Sequence, residues 1–358
     1  VCGMNSKNDG FLNPYKVLGL LETPEKLRDW VSQKKYPVHV KFDLTGACNL
    51  RCIFCSGVKM QEDLSAKSIP WPVLSATLRD LAAKGTRVVT FTGGGEPLLY
   101  SHIDKCLELT ADLGLGFGIT TNAALPLSPA RKAALAHAHW IRVSVNAGSA
   151  RTYQVVHNPR KIGEETYHLV MQNLQEMRKI CPSTTRLGCS YLIETHNWPE
   201  IVSFANQVRD MGLDYVQFKL AYIPAEKTMF DVPEYRDHAA EIVDLLKQVN
   251  QLETDNFKII YPKDRAEFAT KKYQSCWVQH FSVHVGVNAH VYPCCVQTYH
   301  QQADLGSLID HSFEEIWHNE TREERAAELG ASCPRCWWDP INTILDIMAH
   351  PMDDMDFI

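Results

Sequence analysis

From about residue 38 to residue 222, short extended runs alternate with amphipathic helical stretches. That alternation constrains the fold of this 358-residue chain more than any other feature. The extended runs are Val38–Leu44, Arg87–Thr92, Phe117–Thr121, Trp140–Val145, Leu187–Ile193 and Tyr215–Leu220. Helical periodicity covers Pro70–Ala83, His102–Leu113, Pro129–His137, Glu164–Ile180 and Trp198–Met211, and a longer stretch runs over Pro233–Leu252. Strand–helix–strand order gives parallel strands joined by crossover helices. Six such units predict an α/β fold, a partial (β/α)6 TIM-like barrel.

The strands also predict what the barrel encloses. Parallel strands buried on both faces read as continuous apolar runs, and these do not. Lys41 and Asp43 alternate with Val40, Phe42 and Leu44; Thr90 and Thr92 with Val89 and Phe91; Arg142, Ser144 and Asn146 with Val143 and Val145; Gln217 and Lys219 with Val216, Phe218 and Leu220. Side chains alternate across a strand. The apolar set must face the helices, so the polar set lines the interior, which is then a ligand cavity.

The net charge of −6 argues against a sequence-independent grip on nucleic acid, which needs a basic surface. No run of about 18 apolar residues marks a membrane span, and Val1–Asp9 does not read as a secretory signal. The expectation is a cytoplasmic protein without nucleic-acid or membrane partners. Twelve cysteines is then a high number, since thiols in a reducing compartment more often bind metal or do chemistry than pair as disulfides. Three cluster early (Cys48, Cys52, Cys55) and five late (Cys276, Cys294, Cys295, Cys333, Cys336).

The early three lie in Thr45-Gly46-Ala47-Cys48-Asn49-Leu50-Arg51-Cys52-Ile53-Phe54-Cys55, a loop at the C-terminal end of the first strand. Active sites of α/β barrels gather at that end. Three thiolates from one loop suit three irons of a [4Fe–4S] cube, which ordinarily takes four cysteines. With no fourth cysteine nearby, one iron stays open to a ligand. The competing reading is a zinc site short of one ligand.

This Cys-x3-Cys-x2-Cys segment, with Phe54 before the last cysteine, resembles the signature of the radical S-adenosylmethionine (SAM) superfamily. Thr92-Gly93-Gly94-Gly95-Glu96-Pro97 resembles that family's GGE motif. The resemblance implies that Phe54 contacts SAM and that Gly93, Gly94, Gly95 and Glu96 hold its methionine amino group. It further places Asn122, in Thr120-Thr121-Asn122, on the third-strand element, with Ala123 where the family has glycine. Ser144 and Asn146 fall where members contact the SAM ribose and carboxylate. Lys219 takes a sixth-strand position often held by a basic residue.

The late cysteines read as a hairpin, Phe281–Val285 and Ala289–Cys295, with Cys276 before it, then a helix carrying Phe313, Ile316 and Trp317, then Cys333-Pro334-Arg335-Cys336. Cys276, Cys294, Cys333 and Cys336 suit one metal centre, and four thiolates also suit structural zinc. The pattern resembles the SPASM/twitch extension of radical SAM enzymes, in its shorter one-cluster form, with Ala289 where the family's hairpin usually has glycine. The expected domains are an N-terminal segment of unknown role (1–37), the partial barrel (38–255), a small cysteine-rich α+β twitch/SPASM-like domain (256–340) and a C-terminal helical tail (341–358).

The resemblance implies reductive cleavage of SAM to a 5′-deoxyadenosyl radical at the first [4Fe–4S] cluster, with an electron from flavodoxin or ferredoxin, and a second, auxiliary [4Fe–4S] cluster. Loss of a substrate hydrogen then leads to oxidation, or to epimerisation if a thiol returns hydrogen; Cys189 and Cys295 are the thiol candidates. A non-catalytic iron–sulfur carrier or sensor is the alternative of another class. Family members that modify peptides often carry a leader-binding domain of about a hundred residues, more than the 37 residues before the first strand. That tilts the expectation toward a small sugar- or aminocyclitol-like substrate, as in the aminocyclitol dehydrogenase and aminoglycoside epimerase, with a peptide as the alternative. The acidic C-terminal end, unlike the glycine–arginine tail of the molybdopterin GTP cyclases, disfavours that activity.

Overall fold

The computed structural model describes residues 21, 23–55, 64, 66–158, 165–220, 237–261, 273, 275–320, 322, 324, 325, 328, 333, 336 and 338–350. Cys2, most of the expected 1–37 segment, the start of the helix expected from Pro233 and the end of the tail lie outside them. The chain divides into two compact units that interleave in sequence. One comprises Val1–Lys41, Pro70–Val89 and Asp264–Ile358, the other Phe42–Ile69 and Thr90–Lys263.

The second unit carries the site face; the first strand enters it at Phe42 and the second at Thr90. The strands are β1 (His39–Thr45), β2 (Val88–Gly94), β3 (Gly116–Thr121), β4 (Trp140–Ser144), β5 (Arg186–Ile193), β6 (Tyr215–Leu220) and β7 (Lys258–Ile260), adjacent in chain order. Every pairing from β3 to β7 is parallel. This is a mixed α/β fold with a parallel, partly barrel-like sheet. The seventh strand is an addition to the six expected: three residues, Lys258 to Ile260, are too few for a periodic signal.

Alternation decides the faces. Phe42, Leu44, Phe91, Val143, Val145, Val216 and Phe218 are buried, and the rings of Phe42, Phe91 and Phe117 follow one another at 6.2 and 6.0 Å. On the opposite face Arg142 donates to Thr120 and Gln217, and Ser144 Oγ lies 3.2 Å from Ser190 Oγ.

Helices α3 (Ile103–Asp112), α4 (Pro129–Leu135), α6 (Glu165–Ile180), α7 (Ile201–Asp210) and α8 (Ala239–Asn250) fall where their periodicity placed them, α2 (Trp71–Ala83) belonging to the first unit. Helix α4 starts where Ser128 caps the Arg131 amide and Pro129 has no amide proton to waste. Helix α5 (Ala150–His157) was not expected. Its start is dictated by Glu200, which accepts from the Gly148 amide (2.6 Å), Ser149 Oγ (2.6 Å) and Thr152 Oγ1 (2.8 Å). That bracing is long-range and adds to a local cap, Ser149 Oγ accepting from the Thr152 amide (3.2 Å).

In the first unit β8 (Ser282–Val285), β9 (His290–Tyr292) and β10 (Gly306–Ser307) form an antiparallel set beside the start of β1, where the His39 amide donates to Phe281 O. Helix α1 (Pro24–Ser32) and helix α10 (Asp339–Ala349) bracket a core of Leu21, Leu27, Val278, Phe281, Ile341 and Leu345, with Cys276 packed against it. The N-terminal helix thus packs on the residues that carry the late cysteines. Helix α9 (Phe313–Trp317) opens with a Ser312–Glu315 capping box.

Candidate functional site

The early cysteine loop is tied to the glycine turn by backbone contacts that tolerate no side chain. The Gly95 amide donates to Thr45 O (2.7 Å) and the Glu96 amide to Ala47 O (2.8 Å). A Cβ at Gly95 would collide with the Ala47 carbonyl, and one at Gly93 with the Asp43 carboxyl. Gly93 and Gly94 have φ of 37° and 69°, open to glycine at little cost. Three successive glycines are therefore what lets β2 end directly against the loop that carries the thiols.

Glu96 is 2% exposed and braces this arrangement. Its Oε1 accepts from Thr121 Oγ1 (2.5 Å) and the Leu98 amide (3.0 Å), its Oε2 from the Asn122 amide (2.7 Å). Burial raises its pKa, and the Asn122, Thr121 and Leu98 donors oppose that. A carboxylate offers about four lone-pair sites, so three are used internally. One site of Glu96 is left for a ligand ammonium, and the other three join the ends of β2 and β3. Asn122 continues the join, donating to Asn49 Oδ1 (2.8 Å) inside the cysteine loop, with its Nδ2 4.0 Å from Cys48 Sγ.

Asn146 departs from expectation. It is buried, its Oδ1 accepts from the Leu192 amide (2.7 Å), and its carbonyl accepts from Asn197 Nδ2 (2.9 Å). It ties β4 to β5 and does not present its side chain to a ligand. Ser144 stays on the open polar face, as does Lys219, two residues along β6 from Gln217.

A functional neighbour that the sequence did not disclose is His157, at the end of α5. Its Nε2 lies 2.7 Å from Val145 O, so Nε2 carries the proton, and Nδ1 faces Cys52 Sγ at 3.0 Å as an acceptor. Burial holds its pKa down to about 4, against the Val145 hydrogen bond. Tyr153 stacks on it at 4.3 Å and Phe54 meets it edge-on at 5.7 Å, so Phe54 stands beside the thiol loop.

The thiol pKa of Cys52 is pushed well above the ordinary range, first by burial, then by Cys55 and Cys48. Three thiols this placed ionise together only if cationic charge sits among them, which is the chemistry of an iron–sulfur donor set. The late group behaves alike. Burial raises Cys294, then Cys295 and Cys276 add to it; burial raises Cys276, then Cys333 adds to it; Cys336 is pushed up to about 12 by burial, then by Asp339, Cys276 and Cys333. Gln297 Nε2 donates to Cys333 Sγ (3.0 Å), Asn342 Nδ2 to Cys276 Sγ (3.6 Å) and the Trp338 amide to Cys336 Sγ (3.4 Å). N–H groups aimed at sulfur favour thiolate and suit cluster ligands. Among the described residues no three His, Cys, Asp or Glu side chains are gathered tightly enough for a single metal ion. The fit of both groups to a cluster rests on donor chemistry and mutual electrostatics.

The two thiols expected as hydrogen donors separate. Cys189 pairs in register with Val143 and Val216. Those are helix-side residues, and Cys189 is fully buried among them. It faces away from Ser144, Ser190 and Gln217, which corrects the expectation that it serves a ligand in the interior. Cys295 is half-buried beside Cys294, with Lys41 Nζ 3.7 Å from its sulfur.

Comparison with known proteins agrees with this arrangement. Residues 43–208 match the radical SAM superfamily, and residues 276–337 match SPASM, an iron–sulfur cluster-binding domain. An S-adenosylmethionine-dependent nucleotide dehydratase of Lacinutrix mariniflava is 32% identical over 111 residues, 30% of this chain and 23% of that one. A GTP 3',8-cyclase of Clostridium acetobutylicum is 25% identical over 178 residues, 49% of this chain and 54% of that one. The chain thus spans only about a quarter to a half of these curated relatives. In fold it is similar to Streptococcus suis SuiB bound to its precursor peptide SuiA, with a TM-score of 0.63 at 16% identity over 90% of this chain and 74% of that one. Among the described residues no helix is long and apolar enough to cross a membrane. A radical SAM domain carries a [4Fe–4S] cluster with SAM, and a SPASM domain carries auxiliary iron–sulfur clusters. The thiol loop braced on a glycine turn and the second group of wrapped thiols are therefore the two halves of one family pattern: the chain carries a radical SAM domain at residues 43–208 and a SPASM domain at residues 276–337.

Proposed function

We propose that this chain cleaves SAM reductively and removes a hydrogen atom from a small, sugar-like substrate, with oxidation as the outcome. The observation that carries the reading is the convergence of Cys48, Cys52 and Cys55 with the Gly93–Glu96 turn and Asn122 at the strand ends of one sheet. Cys48, Cys52 and Cys55 hold the first cluster, which when bound supplies reductive cleavage of SAM to methionine and a 5′-deoxyadenosyl radical. Cys276, Cys294, Cys333 and Cys336 hold the auxiliary [4Fe–4S] cluster, a one-electron acceptor. Flavodoxin or ferredoxin is the reductant.

The chain's own residues aim and shield. The glycine turn brings backbone carbonyls to the ligand, Ser144 offers a hydroxyl, Lys219 a cation, and Phe54 with the strand ends excludes water. Oxidation is favoured over epimerisation because Cys189 faces the helices, which leaves Cys295 as the thiol candidate. Of sugar-like and aminocyclitol-like substrates the first fits better: the polar face already holds the Arg142 cation, and no carboxylate pairs with it among the described residues. The names of the sequence relatives, a nucleotide dehydratase and a GTP cyclase, favour a second reading in which the sugar is that of a nucleotide.

The test is anaerobic incubation of reconstituted protein with SAM and dithionite. 5′-Deoxyadenosine well above a Cys55→Ala control is expected. Formation no greater than the control would leave an iron–sulfur carrier as the reading.

A further inference from the structure

Arg142 stands on the polar face as a cation whose hydrogen bonding is left incomplete. A guanidinium is always charged and carries five N–H donors in a flat fork. Here Nη1 donates to Gln217 Oε1 (3.0 Å) and Nη2 to Thr120 Oγ1 (3.1 Å), both neutral acceptors. The Nε is buried and has no hydrogen-bond partner. Among the described residues no carboxylate lies within ion-pair distance of it. A largely desolvated charge without a counter-charge is costly, so a fold keeps one where something else supplies the partner.

The surroundings are built around that group. Arg142 stands in the row Thr120–Arg142–Gly188–Tyr215 across β3, β4, β5 and β6. One residue down β4's face, Trp140 lies flat over Gly118, where a Cβ would collide with the indole; Tyr215 lies over Gly188 in the same way. The two rings make a floor, apolar except for the buried Tyr215 hydroxyl. Arg142 lies over Trp140, 5.4 Å from the ring centroid, and Thr120 and Gln217 hold the fork from two sides. Ser144 and Ser190 stand one row nearer the strand ends that carry Glu96 and Asn122. Burial lowers the guanidinium's pKa, and the neighbouring Tyr215 phenol opposes that.

We infer that Arg142, held by Thr120 and Gln217, is an oxyanion-binding residue that anchors a carboxylate or phosphate of the substrate in the sheet interior. The inference rests on the reading that substrate occupies this polar face. A planar fork receives either oxyanion through two parallel N–H bonds, which orients the molecule as well as holding it. Arg142 is a binding and positioning residue and touches no reacting atom.

The experiment uses the full chain, anaerobically reconstituted, at constant ionic strength. Melting temperature is followed against inorganic phosphate and, separately, acetate, for wild type, Arg142→Met, Arg142→Lys, and the pair Thr120→Val and Gln217→Leu. At least one anion should raise the wild-type melting temperature saturably. A larger response to phosphate points to a phosphorylated substrate, and to acetate, a carboxylic acid. Half-saturation should weaken about tenfold or more in Arg142→Met, less in Arg142→Lys, and measurably in Thr120→Val and Gln217→Leu. Without added anion, Arg142→Met should melt no lower than wild type, because it removes a buried charge without a partner.

The inference is overturned if neither anion binds saturably, if binding is the same in all variants, or if saturating SAM abolishes it, which would assign the guanidinium to the SAM site. A fall in melting temperature of Arg142→Met with anion affinity unchanged in the Thr120 and Gln217 variants would also overturn it. Wild-type 5′-deoxyadenosine formation is read separately: its presence without anion binding sinks only the subsite, and its absence with anion binding intact sinks only the proposed reaction.

Discussion

The two cysteine groups solve opposite problems with the same atom. The early group has three thiols in an eight-residue loop, and acceptors stand beside it: the Glu96 carboxylate, three of whose four sites are used internally, the Thr45 and Ala47 carbonyls and the Nδ1 of His157. The late group has four thiols drawn from three segments, each of three sulfurs meeting an N–H donor from Gln297, Asn342 or Trp338. Donors around sulfur stabilise a closed, anionic cluster. Acceptors around an incomplete set of thiols suit a cationic ligand arriving from outside. A chain can therefore hold two iron–sulfur sites of one ligand chemistry and still reserve only one for substrate.

Iron content gives the largest way to break this comparison. Cys52→Ala should lose about four irons per chain and all 5′-deoxyadenosine. Cys336→Ala should also lose about four irons, yet keep a fraction of SAM cleavage while forming no oxidised product. Equal loss of cleavage in both would mean that the sites are not separable. Cys295→Ala should leave the iron content unchanged, and Cys189→Ala should leave product formation unchanged; a drop in product with Cys189→Ala would place that thiol back in the reaction.

Acid sensitivity sharpens the contrast from the protein side. Burial holds His39 down to about 3 and, with Arg322 adding to it, His280 to about 3. Both lie in the unit that carries the late cysteines. A histidine held below its unfolded value of about 6.5 binds fewer protons when folded, so stability is full above that pH and declines as pH falls toward about 3. Melting temperature of the metal-free chain should fall over that window, and the fall should flatten in His280→Gln. A window confined below pH 4 would point to carboxylates instead.

The smallest effects come from two alanines. Ala123 and Ala289 adopt φ of 52° and 61°, where a Cβ is strained. Ala123→Gly and Ala289→Gly should each stabilise by about 1 kcal/mol or less, measured by denaturant unfolding. Destabilisation would mean that the methyl packs usefully; both side chains are fully buried.

These two alanines show how much was legible beforehand. The comparison with the family expected glycine at both places, and the backbone explains why: each turn needs a left-handed residue. Strand order, the polar face and the cysteine loop were readable because each has a local pattern, period two or fixed spacing. What was not readable depends on distant partners. Helix α5, and with it His157, has a local cap in Ser149 but is braced by Glu200, about fifty residues away. Glu96 and Asn146 look like ligand groups in sequence, and only their long-range donors, Thr121 and Leu192, reveal that they also brace strands. Cys189 was misread because alternation along β5 is interrupted by Gly188, which hides which face the next residue takes. Arg142 was visible as a polar-face residue, but its want of a counter-charge is a three-dimensional fact.

The central claim is that the early thiols leave one iron open and the late thiols leave none. Electron–nuclear double resonance of the reduced, reconstituted chain with SAM labelled with 15N at its amino group tests it most directly. The account predicts a 15N coupling to the early cluster that disappears in Cys52→Ala and persists in Cys336→Ala. No 15N coupling, with a protein nitrogen or sulfur found on the fourth iron in its place, would contradict it.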